Sequence, residues 1–311
     1  MTSQVAAIES AHITDLVDAS QDANVPVLDR RSHNDFMGVK RAKAMDTSEF
    51  LISNAEDFAL SNCQVDPPAE FDEKQSKRTL KQNTKVLQSL QKLMWAERKQ
   101  RVLVVLQAID AGGKDGTIRS VFGGLNPQGV KVQSFKRPTK QELAHDYLWR
   151  VHKHVPGNGE IMVFNRSHYE DVLVVKVHEY APLDLVEKRY EHIRNFEQLL
   201  ADEGTTIIKI FLHISKDEQK RRFEDRLNEP DKNWKFKKED LKERAFWDQY
   251  QDAFETMIEQ TSTKDAPWYV VPSNNKKYRN EIISNLLIET LSGLNMEFPP
   301  AADGLDNIVI D

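Results

Sequence analysis

Cysteine is almost missing from this chain. Cys63 is the only one in 311 residues, so no internal disulfide can form and a reducing compartment fits. Long apolar runs are missing too: no stretch of about 18 apolar residues exists, so no membrane span is expected. The first twenty residues carry Glu9, Asp15 and Asp18 and lack a basic-then-apolar pattern, which argues against a secretory signal. Positive charge is in deficit, with 43 Lys and Arg against 49 Asp and Glu, net −6. That balance offers no global attraction to nucleic acid or to an anionic membrane, and a polyanionic partner would need locally concentrated cations. No fixed-period repeat and no low-complexity tract appears. The expectation is a cytoplasmic protein without nucleic-acid or membrane partners, long enough for one large α/β domain with extensions or for two small domains.

Residues 1–70 show no sustained periodicity and end in the turn signal Asp66-Pro67-Pro68, so they are expected to form an extension, ordered only in part. A helix is predicted from about Glu73 to Lys99, where Leu80, Leu87, Leu90 and Met94 recur at helical spacing, as a packing helix laid on the core. From Val102 onwards the pattern changes. Buried-strand runs at Val102–Leu106, Val130–Phe135, Ile161–Phe164, Ile207–Ile214 and Trp268–Val271 alternate with amphipathic stretches. Strands alternating with helices predict an α/β fold, a parallel sheet covered on both faces by helices. Residues 299–311 read as a tail.

The first strand runs into Gln107-Ala108-Ile109-Asp110-Ala111-Gly112-Gly113-Lys114-Asp115-Gly116-Thr117, and a helix follows. A glycine-rich turn here lets backbone N–H groups close around phosphate oxygens, and the helix presents its positive end to the same anion. Lys114, taken as an exposed loop lysine, supplies a mobile cation. Asp110 and Thr117 are carboxylate and hydroxyl candidates beside a metal, and Thr117 and Arg119 join the phosphate-binding candidates. The match to the general phosphate loop is imperfect. Ala108 stands where the first glycine belongs, Asp115 replaces the usual Ser or Thr, and an ordinary strand-to-helix turn is the plain alternative.

A second strand end, Ile161–Phe164, runs into Asn165-Arg166-Ser167-His168-Tyr169-Glu170. Polar groups at the carboxyl ends of two strands in an open sheet converge on one crevice. Asn165 or Ser167 also reads as a helix N-cap, a role that leaves Arg166 and Glu170 free. The third element, 216–244, holds eleven Lys and Arg against nine Asp and Glu, by count a solvated face. Its spacing says more: Arg222 and Arg226 share a helix face, with Lys232 and Lys235 just beyond. An arginine-bearing segment after a late strand is where small phosphate-loop kinases keep a lid, and Arg suits the role through its planar fork of donors.

With these motifs in hand, the chain resembles polyphosphate kinase family 2 over roughly Leu80 to Leu294. The resemblance is carried by Asp110-Ala-Gly-Gly-Lys-Asp-Gly116, Asn126-Pro-Gln-Gly129, Asn165-Arg-Ser-His-Tyr-Glu170 and Pro230-Asp-Lys-Asn-Trp-Lys-Phe236. It implies a thymidylate-kinase-like phosphate-loop domain over 71–298 with a helical lid around 216–245. It also implies phosphoryl transfer between inorganic polyphosphate and nucleoside mono- or diphosphates, with magnesium (or manganese), in a dimer or tetramer. Carried over by position, Asp110 holds the metal. Lys114 and the backbone of Gly112, Gly113, Asp115 and Gly116 cradle phosphates. Arg166 and Arg222 contact the transferred phosphoryl, Arg222 from the lid above, and Lys232 and Lys235 grip the polyphosphate chain; Arg226, on the same helix face as Arg222, is a further phosphate-binding candidate. The family's usual second-strand aspartate is Asn165 here, and Glu170 is the nearest substitute carboxylate; Asn165, Tyr169 and Glu170 form the expected second-strand site. The same segment is like the subgroup that phosphorylates both monophosphates and diphosphates.

Two rival functions stay open on sequence. One is an ATP-dependent nucleotide kinase of the same fold, the other a phosphate-loop protein that binds nucleotide without turnover. His152 and His154 are two apart on a predicted helix and face different ways, so they are not taken as a metal pair. Trp234, between Lys232 and Lys235, is the tryptophan to watch.

Overall fold

The computed structural model describes residues 45–52, 58–304, 308 and 310. Expectations for 1–44, 53–57 and most of the last seven residues lie outside these.

Five strands form one parallel sheet: β1 Arg101–Gln107, β2 Val130–Ser134, β3 Glu160–Asn165, β4 Thr205–His213 and β5 Trp268–Pro272, in the order β2-β3-β1-β4-β5. β1 is central and reads RVLVVLQ, an almost unbroken apolar run, because both of its faces are covered. β2 departs from expectation. It reads as a buried run but forms the sheet edge, with Lys131, Val132 and Ser134 exposed and only Phe135, just past its end, buried. Apolar composition alone does not separate an edge strand from a central one.

The long helices are α1 Glu73–Glu97, α2 Leu183–Asp202, α3 Lys216–Asn228, α4 Lys238–Ala245, α5 Trp247–Thr261 and α6 Lys276–Gly293. Asp72 starts α1 by accepting from Lys74 N and Gln75 N, satisfying donors that a first turn leaves free. Arg98 stops it in the left-handed region at φ 55°. α1 packs along α6, joined by a buried bond from Asn83 Nδ2 to Ser284 Oγ of 2.9 Å. The opposite face of the sheet, with Leu103, Val105, Met162, Phe164, Ile207 and Phe211, packs against α2 and α5.

Part of the expected extension is built into this core. Leu51 bridges Tyr269 beside the β5 edge, Ile52 N donates to Trp268 O at 2.9 Å, and Phe50 and Leu60 are buried.

A charged cluster lies inside the apolar layer. Lys209, in β4 and fully buried, donates to Glu197 Oε2 at 2.6 Å, Thr261 O at 2.7 Å and Tyr169 Oη at 2.9 Å. Glu197 also accepts from Tyr169 Oη at 2.7 Å and lies 3.2 Å from His168 Nε2. Burial opposes ionisation of Glu197, but the Lys209 ammonium and the His168 contact outweigh it and hold the carboxyl below its ordinary value. Its stabilising effect is therefore present above the unfolded value of about 4.3 and is lost as pH falls through the lower folded value. Lys209→Met should cost about 3–5 kcal/mol by stranding the Glu197 carboxylate. Adding Glu197→Gln should recover most of that loss. Urea unfolding of both variants near pH 7 checks this, and equal stability of the single and double variants would contradict it.

Candidate functional site

Parallel register sets the position of the site. Leu106 pairs with Asn165, so β1 and β3 end side by side and their outgoing loops face each other. The β1 loop turns tightly: Gly112 N donates to Ile109 O at 2.9 Å, Ala111 sits at φ 62° and Gly113 at φ 110°. A helical segment follows from Lys114 to Phe122, its second half a π-helix, a rare form frequent at functional sites. Its first N–H groups have no partner within the helix and are available to an anion.

Arg166 leads out of β3 with φ 62°, an uncommon conformation for a side chain of this size. Arg166 N donates to Leu106 O at 3.1 Å, and the following Ser167 Oγ caps Tyr169 N. The guanidinium reaches Asp110 Oδ1 at 2.6 Å and Glu170 Oε2 at 3.1 Å. Asn165 Nδ2 donates to Asp115 Oδ1 at 2.7 Å. The two strand ends are thus joined by several polar contacts, and Asp110 and Glu170 both face one arginine.

Several expected residues stand differently. Lys114 is not an exposed loop lysine: it is 8% exposed, and its Nζ donates to Ala108 O at 2.7 Å. Burial, with Arg166 next, lowers its pKa to about 8 against the opposing pull of Asp110, Glu170 and Asp115. Arg222 is not a free arm above the site. It is buried, pairs with Glu218 Oε1 at 2.6 Å, and donates to Ala111 O at 2.8 Å and to Ser273 O, thereby tying α3 to the loop. Tyr169 is no part of the crevice, because its hydroxyl is committed to Glu197 and Lys209 in the core. Thr117 is fully buried and Arg119 is exposed, and neither lines the cleft described below.

The remaining candidates, Glu170 apart, come together. A cleft of about 700 Å³ is lined by Asp110 to Gly116, Asn165, Arg166, Arg222, Arg226, Lys232 and Lys235. Glu170 lines a smaller pocket on the other side of Arg166, with Glu243 and Tyr250. α3, the short turn Asn233–Lys235 and α4 form a helical flap beside the cleft. Arg226 is braced by Asp240 Oδ2 at 3.4 Å, Lys232 pairs with Glu229, and Lys235 lies 5.0 Å from the centre of the exposed Trp234 ring.

Sequence reasoning missed Lys136, Arg137, Lys276 and Arg279, which also line the cleft. The signal was present: the first pair follows β2 and the second follows β5, the same strand-end position used to find the β1 and β3 loops. The cleft lining holds eleven Lys and Arg against three Asp, the local cation concentration that a protein of net −6 needs to hold a polyanion.

A family model described as polyphosphate kinase 2 matches residues 70–299. An AMP/ADP-polyphosphate phosphotransferase from Meiothermus ruber is 59% identical over 225 residues, 72% of this chain and 84% of that protein. An ADP-polyphosphate phosphotransferase from Rhodopseudomonas palustris is 45% identical over 267 residues, 81% of this chain and 92% of the relative. Among solved structures, polyphosphate kinase 2 from Arthrobacter aurescens TC1 superimposes with a TM-score of 0.81 at 40% identity, covering 85% of this chain and 95% of that one. The matched span contains both strand-end loops and the flap, and the chain belongs to the polyphosphate kinase 2 family.

Proposed function

We infer that the protein catalyses reversible phosphoryl transfer between inorganic polyphosphate and nucleoside mono- and diphosphates, AMP to ADP and ADP to ATP, with guanine nucleotides as further acceptors. The observation that carries this is the excess of eleven cations over three carboxylates around an open cleft at the carboxyl ends of the strands. The acceptor range follows the relative that is 59% identical and named for both AMP and ADP.

In phosphoryl transfer the catalyst mostly aligns reactants and neutralises charge on the equatorial oxygens. An oxygen of the acceptor's terminal phosphate attacks the end phosphorus of the chain. The bond to the bridging oxygen breaks, and a polyphosphate one unit shorter leaves. Arg166, oriented by Asp110 and Glu170, offers a planar fork to the transferring group. Lys114 places its charge at the loop, and Arg222 holds α3 against it.

Magnesium, or manganese in its place, is part of the proposal. Among the described residues no group of three or more His, Cys, Asp or Glu is arranged to cage a metal. Asp110 with Glu170 fits the other habit of magnesium, one or two carboxylates with the remaining ligands from water and substrate phosphates. Asp110 would hold the ion, and Asn165, an amide committed to Asp115, adds no charge there. When bound, the ion would neutralise phosphate oxygens. No helix among the described residues is long and apolar enough to cross a membrane. A cytoplasmic homo-oligomer, dimer or tetramer, completes the proposal, supported by the lone cysteine and by β2, an edge strand with Val132 45% exposed.

A donor-by-acceptor matrix tests the function: polyphosphate or ATP against AMP, ADP, GMP and GDP. ADP should form from AMP and polyphosphate without ATP. Turnover with ATP alone would establish an ATP-dependent kinase, and binding without transfer from either donor a non-catalytic protein.

Lys114→Ala should lower kcat by roughly 10²-fold or more, the usual scale for a lost electrostatic stabiliser. Because Ala108 O loses its partner as well, circular dichroism and a melting curve must accompany the kinetics. In the wild type, deprotonation of Lys114 should reduce kcat/KM for polyphosphate as pH rises through about 8. A profile flat to well above that value would remove Lys114 from this role.

Lys232→Ala and Lys235→Ala should raise KM for polyphosphate, leave KM for the nucleotide nearly unchanged and flatten the salt dependence of polyphosphate binding. Arg222→Ala should lower kcat and also destabilise the fold, since its side chain braces the loop. If Lys232→Ala and Lys235→Ala both raised the nucleotide KM alone, the flap would be a nucleotide clamp.

A further inference from the structure

Arg279 lies in the first turn of α6, outside every motif used above. It is only 2% exposed. Its Nε and Nη2 both donate to one neutral acceptor, Asn280 Oδ1, at 3.1 and 2.9 Å. Among the described residues no carboxylate pairs with it, and Nη1 has no hydrogen-bond partner. Two of the other buried cations are ion-paired, Lys209 with Glu197 and Arg222 with Glu218, and Lys114, which also lines the cleft, has Asp110, Glu170 and Asp115 acting on it. Arg279 instead has a second cation, Arg222, nearby. Burial first, and Arg222 second, push its pKa down to about 9. A buried charge without a counterion is costly, and such groups are normally paired.

Its location shows what could pair with it. Arg279 lines the cleft from behind the phosphate loop. A Cβ at Gly113 would overlap Nη1, and one at Gly116 would lie 3.4 Å from Nη2. Gly113 therefore makes room for this guanidinium, and Gly116 packs against it at ordinary contact distance. It makes no hydrogen bond to a loop carbonyl, so it does not hold the loop as Arg222 does through Ala111 O.

We propose that Arg279 is a donor-binding residue whose free Nη1 edge takes a phosphate oxygen of the polyphosphate lying in the loop. The anion is then the missing counterion of a charge that the free protein carries uncompensated. The idea rests on reading the cleft as the polyphosphate site. It adds a cation from the β5 strand end to the β1 and β3 loops and the flap.

The consequence has two opposite signs. Replacing Arg279 by methionine should hold or raise the melting temperature in phosphate-free, metal-free buffer, because an uncompensated charge is removed. The same change should shrink the upward shift in melting temperature produced by tripolyphosphate. It should also raise KM for polyphosphate about tenfold or more, the scale of one lost charge-assisted hydrogen bond. KM for AMP should stay within a few-fold, and R279K should retain much of the polyphosphate affinity.

A structural arginine would behave otherwise. If R279M melts lower without phosphate, or fails to fold while R279K folds, the charge is not uncompensated and the proposal is overturned. An undiminished tripolyphosphate shift in R279M overturns it as well. The wild type separates this from the broader function: a tripolyphosphate shift without transfer from polyphosphate would refute the proposed activity and leave the Arg279 comparison readable.

Discussion

The ion pair between Arg166 and Asp110, 2.6 Å across the crevice between two neighbouring strand ends, is the constraint on which the rest of the site depends. It exists because β1 and β3 are adjacent and parallel, which places their outgoing loops at one edge of the sheet. Arg166 accepts a backbone angle of +62° there, a conformation that persists only where its surroundings over-determine it. They do so from both sides. Arg166 N bonds back to Leu106, Ser167 receives Gln107 Nε2 at 3.2 Å, and Tyr169 is anchored through Glu197 and Lys209 in the layer beneath. The buried charged cluster, with no direct contact to the cleft, thus serves as the footing of the arginine that faces it.

Electrostatics explains why the cleft is assembled from so many distant segments. Like charges repel strongly when desolvated, so one short segment could not present all these cations without unfolding itself. Here they arrive from the loops after β1, β2, β3 and β5 and from the flap after β4, and several have a local carboxylate: Glu229 for Lys232, Asp240 for Arg226, Glu218 for Arg222. Positive potential accumulates where a polyanion would lie, while the chain as a whole stays at −6.

Much of this was legible in the sequence because it is local. Strand runs, the Gly-Gly-Lys turn and the start of α1 at Glu73 are decided by neighbours along the chain, and β1 and β3 extend only one residue beyond each end of their predicted runs. What sequence missed depends on depth and on partners far away in the chain. Tyr169 looks like a site residue beside Arg166 and Glu170, yet the turn after β3 sends it into the core, where α2 supplies Glu197. Lys114 looks exposed until the loop folds back over it to Ala108 O. β2 carries the composition of a buried strand and is an edge, since sheet order is not written in any single strand.

The segment before α1 shows how remote parts of the chain support the chemistry. Read from sequence as a loose extension, residues 58–66 lie beside the loop that follows β5. Asn274 N donates to Val65 O at 3.0 Å, and Asn274 Nδ2 donates to Asp66 Oδ1 at 3.0 Å. Asn274 Oδ1 in turn accepts from Ser215 N, the residue that caps α3, and Asn274 O accepts from Arg222 Nη2 at 3.2 Å. One asparagine thereby links the pre-helix segment, the β5 end and the base of the flap. A flap that closed over substrate would pivot at the start of α3, where Ser215 and Arg222 are held, and its outer part, with Lys232, Trp234 and Lys235, has the weaker attachments: surface pairs and an exposed ring. Rigidity near the phosphate loop and looseness at the rim suit a site that must fix one phosphoryl group and then let a long chain advance by one unit.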